Sequence, residues 1–70
     1  MKEDISKLFA TKVQEIRESK NFTRTKLSEL AGLDMTYIGK IERCEKSPNL
    51  RTIIKLADAL EIPVKELFDF

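Results

Sequence analysis

Residues 24–43 read Arg-Thr-Lys-Leu-Ser-Glu-Leu-Ala-Gly-Leu-Asp-Met-Thr-Tyr-Ile-Gly-Lys-Ile-Glu-Arg. Two short helical periodicities flank a three-residue break in this stretch. Leu27, Leu30 and Ala31 share one face of a helix over about Arg24–Ala31, and Ile38 and Ile41 share one face of a second over about Met35–Arg43. Thr23 is suited to cap the first, with Lys26 where a capping box would carry Glu. Gly32 stands where a helix end asks for positive φ. Leu33 reads as a buried spacer and Asp34 as the N-cap of the second helix. Ser28 is small enough, near the middle of the first helix, to let a second helix cross it steeply.

A small residue, a glycine turn and two inward isoleucines in register give the pair the dimensions of a helix-turn-helix. The flanks continue the helical pattern. Ile5, Leu8, Phe9, Val13 and Ile16 make one apolar stripe on a helix from about Asp4 to Ser19, closed by Lys20-Asn21. Beyond a loop over 44–48, Asn49 caps a fourth helix, Leu50–Leu60, expected to turn Leu50, Ile53, Ile54, Ala57 and Leu60 inward. Glu61-Ile62-Pro63 breaks the chain, and Pro63 suits the first turn of a last short helix over about 64–68. The expectation is one all-α domain over residues 1–70, a compact five-helix bundle.

Composition narrows the function classes. Seventy residues with 41% apolar side chains supply one small core, and a chain of this size buries only about 60% of its unfolded surface. With no His and one Cys, the sequence excludes a disulfide framework, a Cys/His zinc site and catalysis by a histidine base. Its carboxylates compose no site and no nucleophile is paired with a base, so no enzyme is expected. Neither a cofactor nor a small-molecule ligand is implied, and Cys44 reads as an inert thiol. No apolar run approaches a membrane span or a signal peptide, so a cytoplasmic protein with no membrane partner is expected.

The formal net charge of +1 is low for a nucleic-acid binder. Its distribution is uneven. From Arg17 to Arg51 there are eight basic residues (Arg17, Lys20, Arg24, Lys26, Lys40, Arg43, Lys46, Arg51) and five acidic ones (Glu18, Glu29, Asp34, Glu42, Glu45). Asp58, Glu61, Glu66 and Asp69 make the other end acidic.

The chain resembles the phage-repressor and Cro-type helix-turn-helix family of DNA-binding regulators. The resemblance rests on Ile16-Arg17, Thr23-Arg24, the run Leu27–Leu33, Tyr37-Ile38, Ile41–Arg43, Ser47–Leu50, Leu56-Ala57 and Leu67-Phe68. Residues 32–43 are most similar to the controller proteins of restriction–modification systems, where an Asp-Arg-Thr-Tyr-Ile run opens the recognition helix. Three positions depart from that pattern. Arg24 replaces the usual Gln beside the DNA backbone, Met35 replaces the Arg that opens the recognition helix, and Cys44 replaces a Gly.

The resemblance implies a transcriptional regulator whose helix 35–43 enters the major groove of double-stranded DNA. Met35, Thr36, Gly39 and Lys40 are then the exposed positions nearest the bases. Thr36 could bond a base edge, Lys40 could donate to guanine, Met35 could touch a thymine methyl, and Gly39 would let the backbone approach. Arg24, Tyr37, Arg43, Lys46, Ser47, Asn49 and Arg51 are the expected contacts to the DNA backbone, helped by the amides at the start of the fourth helix. Arg17 and Glu42 match a pair that ties the first helix of this family to the recognition helix. Specificity requires two half-sites about 34–36 Å apart, hence a homodimer on a palindromic operator. Ile62, Val64, Leu67, Phe68 and Phe70 are the expected interface, with exposed positions of the fourth helix. The competing reading is a protein-interaction module, such as an antitoxin-like helical domain.

Overall fold

Three polar side chains start three helices. In a computed structural model, which describes residues 4–70, the Asp4 carboxylate accepts from the amides of Ser6 and Lys7 and opens α1, Ile5–Ser19. Thr23 accepts from the Lys26 amide at 2.9 Å and opens α2, Arg24–Ala31. Asn49 does the same for Thr52, at 2.9 Å, and opens α4, Leu50–Leu60. Each satisfies an amide that the first helical turn leaves unpaired.

The helix between them, α3, is shorter than its periodicity predicts and runs over Tyr37–Glu42. The reason lies in Asp34. One of its carboxylate oxygens accepts from both the amide and the hydroxyl of Thr36, at 2.9 and 2.6 Å. This bond to a residue two positions on holds Met35 and Thr36 in a turn ahead of the helix. At the other end Arg43 is already the C-cap. The final segment, Val64–Phe68, is a 3-10 helix and not a fifth α-helix. Five residues entered from extended Pro63 form an i→i+3 turn, with the Glu66 amide on the Pro63 carbonyl. The architecture among the described residues is therefore four α-helices and one 3-10 turn, without strands.

All four α-helices end the same way. The residue after each helix or its C-cap has positive φ: Asn21, Gly32, Cys44 and Glu61, at 61°, 69°, 61° and 58°. The next amide then reaches back five residues, Phe22 to Arg17, Leu33 to Ser28, Glu45 to Lys40 and Ile62 to Ala57. Phe22, Leu33 and Ile62 pack against the core behind their helix ends, the apolar contact that usually accompanies this cap. At the end of α3 the corresponding residue is Glu45, which is exposed.

The core gathers Phe9 and Val13 of α1, Leu27 and Ala31 of α2, Ile38 and Ile41 of α3, Leu56, Ala57 and Leu60 of α4, and Leu67. Ser28 is fully buried as well, its hydroxyl donating to the Arg24 carbonyl at 2.9 Å, so no polar atom is stranded there. The α4 expectation is corrected by one step of the helical wheel. Leu56 and Thr52 are buried, whereas Leu50 is 71% and Ile54 45% exposed. Apolar residues occupy more than one face of α4, and the core selects the face that contains Leu56. Ile5 and Leu30 likewise point outward.

Candidate nucleic-acid interface

The centre of the site is a carboxylate that holds two arginines. Glu42, at the end of α3, accepts from Nε of Arg17 at 2.7 Å and from Nη2 at 3.3 Å. Arg17 gives its remaining Nη1 to the Phe22 carbonyl at 2.7 Å. Nε of Arg24, the first residue of α2, reaches the other side of the carboxylate at 2.9 Å. The Glu42 side chain is 1% exposed, Arg17 9% and Arg24 47%. Three helices therefore meet on one charged group, and the trio keeps one net positive charge. The Arg17–Glu42 pairing matches the sequence expectation. Arg24's part in it was not legible, because nothing in helical periodicity joins the start of α2 to the end of α3.

Burial of Ile38 and Ile41 sets which side of α3 remains outside. Met35 and Thr36 are exposed and Lys40 is half-buried. Met35 and Thr36 project from the turn that precedes α3, not from its first turn as expected. The two hydrogen bonds from Thr36, side chain before backbone, hold the Asp34 carboxyl below its ordinary value of 3.8. Gly39 is buried, contrary to the expectation that it presents bare backbone. The atoms nearest a side chain at that position all belong to the Arg43 guanidinium.

Arg43 is in turn paired with Glu45, Nε to Oε2 at 2.9 Å and Nη2 to Oε1 at 3.3 Å. The hydrogen bonds from Arg43 also lower the Glu45 carboxyl below its usual range. Glu45 was absent from the sequence-derived site, since an i, i+2 pair straddling a helix end leaves no periodic signal. Tyr37 is half-buried at the core's edge, with the Lys46 ammonium 6.0 Å from its ring centroid. Lys46, Ser47, Asn49 and Arg51 are exposed around the start of α4. The Asn49 side chain is occupied as a cap, which leaves the amides of Leu50 and Arg51 at the open helix end.

Of the residues expected at a dimer interface, Leu67 is completely buried within its own chain and is removed from that surface. Phe68 packs against Phe9 with its ring tilted by 35°, centroids 5.2 Å apart, and the Phe70 ring centroid lies 6.3 Å from that of Phe68. Val64 is exposed and Ile62 half-buried.

Residues 13–67 match the helix-turn-helix family. The chain belongs to that family. This helix-turn-helix protein is 41% identical over 64 residues to the control protein C.SmaI of Serratia marcescens, an overlap of 91% of this chain and 76% of that one. It is 41% identical over 71 residues to the control protein C.BamHI of Bacillus amyloliquefaciens, covering 100% and 88% of the two. The crystal structure of the restriction–modification controller protein C.AhdI from Aeromonas hydrophila superposes with a TM-score of 0.88 at 38% identity, over 90% of this chain and 96% of that one. Among the described residues, no helix of this helix-turn-helix protein is long and apolar enough to cross a membrane.

Proposed function

We propose that the chain is a sequence-specific DNA-binding transcriptional regulator that acts as a homodimer on a palindromic operator. It is a regulator and not an enzyme, in keeping with its relatives. The observation that carries the reading is the mounting of α3. Its inner face is held by Ile38 and Ile41 and its far end by the Arg17–Glu42–Arg24 cluster, while Met35 and Thr36 are exposed in the turn before it and Lys40 is half-exposed on its outer side. A helix clamped in this way can enter a major groove as a rigid body.

In this assignment Met35, Thr36 and Lys40 lie nearest the base edges. Arg24, Tyr37, Lys46, Ser47, Arg51 and the α4 amides lie along the phosphates. The dimer forms through the outer face of α4, where Leu50 and Ile54 are bare, continued by Ile62 and Val64. Similarity to the control proteins supports control of a restriction–modification system as the biological role.

Selection of bound fragments from random duplex DNA tests the reading. The expected result is a motif with dyad symmetry and half-sites about one helical turn apart. Absence of any enriched motif would refute DNA binding, and a motif without symmetry would refute the dimer.

A further inference from the structure

Arg43 turns back along α3. A Cβ placed on Gly39 would stand 2.8 Å from Nη1 of Arg43, 3.6 Å from Cζ and 3.7 Å from Nη2. The guanidinium therefore occupies the volume that a side chain at position 39 would fill. Positions 36, 39, 40 and 43 share one helical stripe, so a flat, charged group lies on the side of α3 assigned to the DNA.

It is held there by a dedicated partner. Glu45 takes Nε and one hydrogen of Nη2 in a two-point pair. Glu45 is itself placed by backbone geometry, its amide bonded to the Lys40 carbonyl at 2.8 Å and Cys44 left-handed before it. At the other three helix ends the equivalent residue is apolar and packs inward. A guanidinium paired through Nε and Nη2 keeps both hydrogens of Nη1 and the second of Nη2. Those form a two-donor edge, the pattern complementary to O6 and N7 of guanine.

We propose that Arg43, positioned by Glu45 across Gly39, reads a guanine in each half-site, the role that Met35 cannot perform. The proposal rests on the DNA-binding reading above and reassigns Arg43 from the phosphate backbone to a base. Charge favours the reassignment. Glu45 is an exposed carboxylate with one arginine, unlike the buried Glu42 shared by two. Beside a phosphate contact it would be repelled by the same phosphates, whereas beside a base reader it fixes one rotamer of a flexible side chain.

The test is selection from a random duplex pool by the wild type, Arg43→Ala and Glu45→Gln, with thermal melts of all three. The expected wild-type motif contains one guanine per half-site that Arg43→Ala no longer prefers, the rest of the motif being retained. Discrimination for that guanine should fall roughly 5- to 150-fold. Glu45→Gln, which keeps the arginine, should show a smaller loss at the same position. An Arg43→Ala motif identical to the wild type, with affinity lowered uniformly and the salt slope reduced by about one, would overturn the proposal in favour of a phosphate contact. A wild type that selects no motif would instead overturn the DNA-binding reading itself.

Discussion

Arg17 and Glu42, 25 residues apart in the chain, meet as a two-point fork, Nε on Oε2 at 2.7 Å and Nη2 on Oε1 at 3.3 Å. The pair ties the end of α1 to the end of α3, and Arg24 adds the start of α2 to the same carboxylate. The orientation of the recognition segment thus depends on a nearly dry ion pair, not on packing alone.

Glu42→Ala should therefore destabilise the fold as well as weaken DNA binding. Removing one partner of a buried pair leaves the other charge uncompensated, at a cost of about 3–5 kcal/mol. For a domain whose whole stability is of similar size, the melting temperature should drop sharply. Thermal denaturation followed by circular dichroism reads this directly. Unchanged melting with lost operator binding would mean that Glu42 acts on the DNA itself.

The register of α4 gives a second test. Leu56→Ala empties a fully buried position and should cost about 2–5 kcal/mol. Leu50→Ala, on the outer face, should stay within about 0.5 kcal/mol in the monomer. Urea titration of both variants distinguishes the observed face from the one that counts Leu50 inward. Comparable losses would contradict the observed packing.

These two cases show what the sequence could convey. Caps and breakers act within a few residues, so the limits of α2 and α4, the caps at Thr23 and Asn49, and the turn at Gly32 were legible from local chemistry. The face of α4 was not. Leu50, Ile53, Ile54, Leu56, Ala57 and Leu60 satisfy two overlapping helical stripes, and only tertiary packing chooses between them. The two missing residues at the start of α3 have a similar cause, because Asp34 could cap a helix or fold back on Thr36. The Arg17–Glu42 tie came from resemblance to a family. The Glu45–Arg43 pair and the place of Arg24 depend on three-dimensional proximity and had no signal along the chain.

Cys44 has φ of 61° at the end of α3, a conformation that costs a non-glycine residue roughly 1–2 kcal/mol. Cys44→Gly should remove that strain, less about 0.5–1 kcal/mol for the freer unfolded chain. A net gain of about 0.5–1 kcal/mol in chemical denaturation is the expected outcome. A loss of stability would indicate that the thiol makes a contact worth more than the strain.

Acid should loosen the turn before α3. The Thr36 bonds make the folded chain bind the Asp34 proton less tightly than the unfolded chain does. Stability from this source is thus complete above the ordinary carboxyl value of 3.8 and is lost as the pH falls through the lowered one. Glu45, lowered by Arg43, behaves in the same direction. Melting curves collected across the carboxylate range should show a smaller acid-induced decrease in Asp34→Asn than in the wild type. Both groups are exposed, so the difference should be small and should shrink further with added salt. Parallel curves for the two proteins would show that the turn contributes nothing to acid stability.

The dimer prediction turns on which exposed apolar residues have a partner within the chain. Phe68 already packs against Phe9, so Phe68→Ala should lower the melting temperature while leaving association nearly intact. Leu50 and Ile54 have no such partner and stand on the outer face of α4. A charge at either position should leave the isolated fold within about 0.5 kcal/mol, because no core contact is removed. It should nonetheless disrupt a two-fold interface, where the same residue meets its own copy and two like charges would face each other. Sedimentation of the wild type should report a dimer in the micromolar range, and Leu50→Glu or Ile54→Glu a monomer with weakened binding to a two-half-site duplex. A wild type that remains monomeric at high micromolar concentration would remove the dimer from the proposed function. Dimerisation preserved in both glutamate variants would move the interface away from α4.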